Sequence, residues 1–191
     1  MRFGLAMVLC LASAVSALAS PYHAKHTDEP CAATAANSSV ALANWFECGA
    51  NSFFPYPANG DWSSAYDSFF STSLLASFNG TRYDFAGFKA LYTSFNASID
   101  RNFLEFRHGF LTVVGVPNSN DKGGFAYATG WEGGKTVIGT DLWFTDATYA
   151  VIEEDASGYG GRKIVEFREA SNIPNAAAIP AGQPWSCQLP Y

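Results

Sequence analysis

The sequence has little positive charge and no long apolar run beyond its first residues. It contains 11 Lys and Arg residues against 17 Asp and Glu residues, which gives a formal net charge of −6 at pH 7. The basic residues form no cluster, and a nucleic-acid partner would require a basic surface, so no such partner is expected. No segment after residue 19 approaches the roughly 20 consecutive apolar residues of a membrane-spanning helix, so no membrane span is predicted.

The sequence also lacks the short motifs of common cofactor sites. It has no phosphate-binding glycine loop followed by Lys and Ser or Thr, no dinucleotide fingerprint and no Gly-x-Ser-x-Gly segment. Its cysteines match no zinc spacing. His23 and His26 lie close together in a polar segment, which is more typical of solvated side chains than of copper or zinc ligands. Neither a cofactor nor a metal is therefore expected.

Residues 1–19 have the order of a secretory signal peptide. One positive charge at Arg2 is followed by an apolar run over residues 5–15 and by a cleavage site of small residues at 17–19. We predict that the protein is secreted and that the mature chain begins at Ser20.

The rest of the chain reads as one domain with polar or irregular ends. Residues 20–32 lack apolar periodicity and are predicted to form a flexible leader. Residues 33–172 are predicted to form a single domain, because their number fits the usual domain size. Residues 173–191 hold several prolines and an alanine run, which predicts a C-terminal tail laid over the surface.

Three sequons agree with export. Asn37, Asn79 and Asn96 each begin an Asn-x-Ser/Thr tripeptide and can accept a glycan in a secretory pathway. Asn79 is the favoured site because Asn79 and Gly80 together predict an exposed turn.

Cleavage of the signal peptide leaves three cysteines, Cys31, Cys48 and Cys187, in an oxidising compartment that favours one disulfide. An unbroken helix over residues 33–48 would hold Cys31 and Cys48 roughly 25 Å apart, which would make Cys187 a partner. A helix that began near Val40 would instead let Cys31 fold back. We favour a bond from Cys187 to the N-terminal helix, and the pairing stays open.

Hydrophobic periodicity changes from helical to alternating along the domain. Helices are predicted over residues 40–48, 61–70 and 84–95, with Asp61 and Asp84 as N-caps of the second and third. Strands are predicted over residues 103–116, 123–132, 136–153 and 162–169, with a short extra strand within 74–83. The expected fold class is α+β, with a curved antiparallel sheet wrapped around the N-terminal helices to form a cone-shaped pocket.

His108 is the sole histidine inside the predicted domain. It shares one strand parity, predicted to face the core, with Leu104, Phe106, Phe110, Thr112 and Val114. In an apolar pocket a neutral imidazole suits a general base or a hydrogen-bond donor to a carbonyl, and the alternative is a buried structural histidine. The predicted pocket residues are Tyr66, Phe106, His108, Phe110, Tyr127 and Trp131.

The opposite strand parity carries charges and a tryptophan. Asp141 and Glu166 are predicted on the outer face of the sheet rather than as an acid/base pair, with Arg107 and Arg168 as ion-pair partners. Trp143 falls on the same parity, and an exposed Trp on a sheet face commonly meets a partner. A homodimer through the face that carries Arg107, Trp143 and Glu166 is therefore predicted.

Three segments carry a resemblance to a known family: Tyr83-Asp84-Phe85-Ala86-Gly87-Phe88-Lys89-Ala90-Leu91-Tyr92, Arg107-His108-Gly109-Phe110, and Gly161-Arg162-Lys163-Ile164-Val165-Glu166-Phe167. Together with the element order over about residues 40–172, they resemble the SnoaL-like branch of the nuclear-transport-factor-2-like (NTF2-like) superfamily. The resemblance implies a cone-shaped α+β barrel, often dimeric through the outer sheet face. With the signal peptide and the sequons, it favours a secreted fungal protein.

The resemblance implies a range of functions that includes isomerases, cyclases, dehydratases and non-catalytic binding domains. The ketosteroid isomerase members use a tyrosine and carboxylates around a carbonyl, while the dehydratase members depend on histidines. The single domain histidine, His108, departs from the dehydratase pattern.

Because His108 is the one inward ionisable residue that the pattern predicts, the expected function is binding of a small apolar or aromatic molecule in the pocket. One alternative is a cofactor-free lyase or isomerase that uses His108 with a tyrosine. A second is a non-catalytic surface or interaction protein.

Overall fold

The computed structural model describes residues 37–54 and 60–173, which belong to one compact unit that spans residues 31–191. The predicted signal peptide (1–19), the leader (20–32) and all of the predicted tail except Ile173 lie outside the described residues. Cys31 and Cys187 lie outside them as well. No helix within the described residues is long and apolar enough to cross a membrane.

Three α-helices lie in the described part of the chain: α1 (Ser39–Phe53), α2 (Trp62–Phe69) and α3 (Phe85–Asn102). The Ser38 hydroxyl caps α1 by accepting a hydrogen bond from the Ala41 N–H at 3.2 Å. Asp84 caps α3 in the same way, because its Oδ1 accepts from the Gly87 N–H at 2.8 Å. These caps satisfy backbone donors that have no partner inside the helix.

The described strands form one six-stranded sheet in the order β2-β1-β6-β5-β4-β3. Their bounds are β1 Phe70–Phe78, β2 Thr81–Tyr83, β3 Arg107–Pro117, β4 Gly124–Lys135, β5 Asp141–Glu154 and β6 Arg162–Ser171. Strands β3 to β6 form an antiparallel meander, and β1 joins its edge by parallel pairing with β6. The predicted α+β class is confirmed. The predicted extra strand is a hairpin, β1 and β2, and β1 begins where the second helix was expected to end.

The core combines large side chains from the helices with small ones from the middle of the sheet. Ala126 and Ala128 of β4 and Ala150 of β5 are buried and face the helix layer. The space they leave is filled by aromatic rings such as Phe46 of α1, whose ring stacks on Phe167 of β6 at a centroid distance of 6.4 Å. Packing of small against large residues brings the helices close to the sheet.

A β-bulge at Leu111 reverses the predicted facing of the second half of β3. Phe110 pairs with Gly130 and Thr112 pairs with the next residue, Thr129, so Leu111 is extra on its strand. The helix layer consequently covers Gly115, where a β-carbon would lie 2.5 Å from the Ser39 carbonyl oxygen.

Three residues predicted to face the core do not, two of them because of the bulge. Val114 is 47% exposed and Thr112 is also exposed, because both follow the bulge. Leu104 precedes β3 and is 63% exposed. His108 and Phe110 precede the bulge and face the helix layer, as the alternation predicts.

Helix α1 begins at Ser39, so the long helix that would have excluded a bond between Cys31 and Cys48 does not form. Cys48 lies on α1 and is disulfide-bonded. Both candidate partners, Cys31 and Cys187, lie outside the described residues, and the choice between them stays a prediction.

The amide groups of Asn37 and Asn79 are hydrogen-bonded to the backbone, and that of Asn96 is buried. Nδ2 of Asn37 donates to the Asn118 carbonyl oxygen at 2.8 Å, and Nδ2 of Asn79 donates to the Ile173 carbonyl oxygen at 3.0 Å. Both amide atoms of Asn96 are buried without a hydrogen-bond partner among the described residues. Occupancy of the three sites stays a prediction, and a glycan on Nδ2 of Asn37 or Asn79 would displace these contacts.

Candidate functional site

A cavity of about 60 Å³ lies between the helices and the inner face of the sheet. Half of its sixteen lining residues are Phe, Tyr or Trp: Phe46, Phe53, Phe54, Tyr92, Phe95, Phe110, Trp131 and Phe167. The polar part of the wall consists of His108, Glu132, Asp146, Thr148 and Glu169. A buried water needs roughly 15 Å³, so the cavity has room for about four waters or for a ligand group of similar size.

Three carboxyl groups meet on the sheet side of this cavity, one from each of three neighbouring strands. Glu132 lies on β4, Asp146 on β5 and Glu169 on β6, and the pairing of Gly130 with Asp146 and of Thr148 with Glu169 makes them diagonal neighbours. One oxygen of each lies within 4.8 Å of the other two. We call these three residues the carboxylate trio. Three like charges this close in an apolar cavity repel one another, so the trio holds protons or a bound cation.

Burial and mutual repulsion raise the pKa of each member. Burial, and then the charge of Asp146, raise the pKa of Glu132 to about 8. Burial raises the pKa of Glu169 well above its usual range, and Glu132 and Asp146 add to the effect. Burial also raises the pKa of Asp146, but a hydrogen bond from the Gly130 N–H opposes the rise by stabilising the ionised form. A backbone donor thus supports the ionised form of Asp146, as the Tyr92 hydroxyl does for Glu169, while Glu132 carries a proton at neutral pH.

Glu132 is the most enclosed member of the trio. The residue is 4% exposed, and its side chain borders the cavity. Within residues 37–54 and 60–173 it has no hydrogen-bond partner. Buried carboxyl groups almost always have such a partner, so a ligand or water inside the cavity is expected to supply it.

Tyr92 of α3 reaches the trio from the helix side. Its hydroxyl donates a hydrogen bond to Oε2 of Glu169 at 3.3 Å. Burial, followed by the charges of Glu169 and Glu132, raises the pKa of Tyr92 well above its ordinary value. The hydroxyl therefore stays protonated and acts as a neutral donor.

His108 is half-buried in the wall next to α1. Its Nε2 lies 2.8 Å from Oδ1 of Asn51, and since an amide oxygen only accepts, this contact assigns a proton to Nε2. The imidazole also stacks on Phe54, with ring planes 10° apart and centroids 5.7 Å apart. These contacts hold the ring in one orientation.

The other predicted pocket residues are distributed differently. Tyr66 is fully buried and donates to the Phe85 carbonyl oxygen at 3.0 Å, so it belongs to the core and not to the cavity wall. Tyr127 is 53% exposed on the outer face of the sheet. Trp131 borders the cavity, but its ring packs on Trp143 at 5.5 Å on the outer side. The predicted inward position of Tyr127 is corrected.

Phe106 is buried but borders a second space and not the cavity. This space is a cleft of about 510 Å³ between the end of α3 and the β4–β5 hairpin, which we call the α3 cleft. It shares Phe54, Phe95 and Ile173 with the cavity wall, so the two spaces adjoin. The described residues that border the cleft include none that is charged.

The trio itself is the part of the site that the sequence analysis missed. Asp146 shares the parity of Leu142 and Phe144, so continuing that alternation by two residues would have placed it inside. Phe167 and Glu169 share a parity on β6 in the same way. As a donor set, the trio is the group of described residues that could hold a cation, because one ion could contact an oxygen of each residue.

Comparisons with known proteins agree with this architecture. An NTF-2-like protein of unknown function from Pseudomonas aeruginosa superposes with a TM-score of 0.51 at 11% identity, covering 66% of this chain and 94% of that chain. The fold is NTF2-like.

Two further structures are similar in outline. An NTF2-like superfamily protein from Salmonella enterica gives a TM-score of 0.49 at 10% identity, covering 75% of this chain and 99% of that chain. A ketosteroid isomerase-like protein from Erwinia carotovora gives 0.45 at 12% identity, covering 73% and 100%. No protein-family model and no curated protein sequence matches the chain. Since the NTF2-like likeness establishes the fold alone, function has to be argued from the residues of the site.

Proposed function

We propose that this chain is a secreted, cofactor-independent lyase or isomerase of the SnoaL-like type that moves a proton on a small apolar or aromatic substrate. The observation that supports the proposal is the carboxylate trio in a cavity whose other lining residues are mainly apolar. The sequence alone predicts one inward ionisable residue, His108, and so favours simple binding. Three further ionisable groups now border the same cavity, and acid/base catalysis requires at least two groups with different protonation states.

The environments of the trio assign complementary roles to two of its members. Asp146, whose carboxylate accepts a hydrogen bond from the Gly130 N–H, is the candidate general base. Glu132, protonated at neutral pH, is the candidate general acid. Pairs of carboxyl groups whose environments separate their pKa values commonly divide acid and base work in this way.

The remaining groups would stabilise and position the substrate. Tyr92 donates to Glu169, and the two form a neutral pair suited to a carbonyl oxygen that gains negative charge. His108, fixed by Asn51 and Phe54, adds a polar contact beside Glu132, its cross-strand partner on β4. The aromatic remainder of the wall would exclude water from the reacting groups.

The proposed step balances without a further reactant. Asp146 removes a proton from a carbon next to a carbonyl, and the electron pair of that C–H bond moves towards the carbonyl. Glu132 then delivers a proton either to the γ-carbon of a β,γ-unsaturated substrate, whose double bond shifts to the α,β position, which is isomerisation, or to a departing β-hydroxyl group, which is elimination of water. Asp146 ends protonated and Glu132 ionised, and a proton passing between them within the trio restores the starting state.

Hydrogen–deuterium exchange tests this proposal before the natural substrate is known. Small aryl ketones and β-hydroxy ketones are incubated with the protein in heavy water, and loss of the α-proton signal is followed by NMR. The wild type should accelerate exchange of at least one compound, and Asp146→Asn should lower that rate by about 100-fold or more. Asp141→Asn, on the outer face of the same strand, is the matched control and should exchange like the wild type.

Equal exchange rates for the wild type and Asp146→Asn would refute the catalytic role. Ligand-dependent increases in Tm without exchange of any compound would favour the second candidate, a non-catalytic binding domain, which the adjoining α3 cleft supports. The proposed export has its own test: N-terminal sequencing of the secreted protein should begin at Ser20 or within a residue or two of it.

A further inference from the structure

The cavity is acidic, and His108 is the one basic side chain among the described residues of its wall. The carboxylate trio borders it on the sheet side, while no Lys or Arg of residues 37–54 or 60–173 does so. Protons alone can neutralise the trio, but they leave Glu132 buried without a hydrogen-bond partner among these residues. A ligand that brings both positive charge and hydrogen-bond donors would satisfy the site more completely.

We infer that the site takes an amine with an apolar tail, which binds as an ammonium ion with its head against Glu132, Asp146 and Glu169. The inference concerns a ligand of the same cavity and does not rest on the proposed catalysis, because an ammonium head on all three carboxyl groups would occupy the proposed acid and base. One oxygen of each trio member lies within 4.8 Å of the others, so the three N–H donors of a primary ammonium can reach all three carboxyl groups.

The aromatic wall favours an organic ammonium ion over a metal ion. Phe46, Phe110 and Phe167 border the cavity opposite or beside the trio, and aromatic faces attract alkylammonium groups at close range. A hard divalent cation would need roughly six oxygen ligands. Beyond the trio, the described wall offers His108 and the hydroxyls of Thr148 and Tyr92, and six phenylalanine rings lie among the other lining residues.

The volume of the cavity limits how much of the ligand it can hold. About 60 Å³ accommodates an ammonium nitrogen with three or so carbon atoms, by comparison with roughly 15 Å³ for one water. A larger ligand must continue into the α3 cleft, which adjoins the cavity at Phe54, Phe95 and Ile173. Because the described lining of that cleft carries no charge, the tail should be apolar.

Binding of an ammonium ion would release a proton from the trio. The groups that face one another here are Tyr92 from α3, His108 from β3 and the trio from β4, β5 and β6. Among them Glu132 is protonated at neutral pH, so a cation placed beside it favours its ionised form. Affinity should therefore increase with pH up to the pH at which the amine itself loses its charge.

A charge series of near-identical probes tests the inference on the wild-type protein alone. Phenethylamine, phenylethanol and phenylacetate share a ring and differ in the charge of the head group. In calorimetric titrations near neutral pH, phenethylamine should bind at least about tenfold more tightly than phenylethanol, and phenylacetate should not bind. The heat of phenethylamine binding should depend on the ionisation enthalpy of the buffer, because a proton is released. Equal affinity for the amine and the alcohol would overturn the inference.

Substitutions in the carboxylate trio test whether these residues cause the preference for a positively charged ligand. Glu132→Gln should weaken phenethylamine binding about tenfold or more and change phenylethanol binding much less, whereas the control Asp141→Asn should alter neither. Glu169→Gln gives a second, independent measurement at the trio. If both trio variants bound phenethylamine like the wild type, the ammonium would lie elsewhere and the inference would be wrong.

A parallel measurement with a metal salt distinguishes an ammonium site from a metal site. If manganese(II) chloride alone raised Tm through the trio while phenethylamine did not, the site would hold a metal ion and the amine inference would fail. Tight amine binding without proton exchange on any carbonyl compound would leave the inference intact and refute the proposed catalysis. If the protein exchanged protons on a carbonyl compound but showed no preference for amines, the proposed catalysis would stand and the amine inference would be refuted.

Discussion

The hydroxyl of Tyr92 on α3 donates to Oε2 of Glu169 on β6 at 3.3 Å, which joins the helix layer to the sheet inside the cavity. The Tyr92 ring is buried and packs edge-on against Phe53, Phe54 and Phe88. The hydroxyl and the ring therefore make separable contributions, one to the trio and one to the core.

Tyr92→Phe should remove the hydroxyl and keep the ring packing. The free energy of unfolding, measured in urea, should decrease by about 1 kcal/mol, the usual net contribution of a hydrogen bond. The pKa of Glu169 should rise further, because the Tyr92 hydrogen bond lowers it. The exchange rate in heavy water should fall about tenfold or more. Tyr149→Phe, on the outer face, is the matched control, and a Tyr92→Phe protein equal to it in both measurements would contradict the role of Tyr92.

Stability should decrease as pH rises through neutrality. The pKa of Glu132 is about 8 in the folded protein, against an ordinary value of 4.5, so the folded state keeps a proton that the unfolded chain loses. The contribution is complete below pH 4.5 and is lost progressively up to about pH 8, at a slope of at most about 1.4 kcal/mol per pH unit. The pKa values of Asp146 and Glu169 are raised too, which adds to the same trend.

The check is a series of urea denaturation curves across this range at constant ionic strength. Glu132→Gln should flatten the decrease, since the amide does not titrate, and it should be more stable than the wild type at the high-pH end. Asp141→Asn should keep the wild-type slope. Stability that rises from about pH 5 to pH 8 in the wild type would show that the trio is not protonated in the folded state.

Local chemistry explains why the helix starts were predictable. Asp61 and Asp84 precede apolar residues at helical spacing, and both helices begin there; Asp84 forms the predicted cap, whereas the Asp61 side chain makes no cap hydrogen bond. The parallel pairing of β1 with β6 was not predictable in this way, because it joins residues such as Ala76 and Phe167 that lie far apart in the chain. Such pairing depends on how whole elements pack.

The inner face of β4 shows why most of the site escaped the sequence analysis. On this strand the parity with Tyr127 and Trp131 is more apolar than the parity with Ala126 and Ala128, so the aromatic side was predicted to face inward. The small residues are inside because the helices supply the rings that cover them. Glu132 shares the parity of the small residues and enters the cavity with them. Alternation along a strand separates its two faces, but it does not determine which face the helices cover, because that depends on tertiary packing.

The outer face of the sheet carries the residues through which a homodimer is predicted. Trp143 is 48% exposed there, and Glu166 forms an ion pair with Arg168 on the same face. A homodimer through this face should be seen by sedimentation velocity at tens of micromolar, a fair concentration for a standard-sized interface. Trp143→Lys should give a monomer, whereas Val40→Lys, at an exposed position on α1, should not. A wild-type monomer at that concentration would contradict the prediction.

The contact between His108 and Asn51 decides whether the histidine acts on the substrate or holds the wall. The 2.8 Å bond joins β3 to α1, so His108→Ala and Asn51→Ala should each lower the free energy of unfolding by about 1 to 3 kcal/mol. The double variant should lose less than the sum, with a coupling of at least about 0.5 kcal/mol. His108→Gln can still donate to Asn51 and should recover much of the stability and of the exchange rate, as expected of a positioning residue. Zero coupling, together with lost exchange at unchanged stability in His108→Ala and no recovery in His108→Gln, would instead identify His108 as the catalytic base.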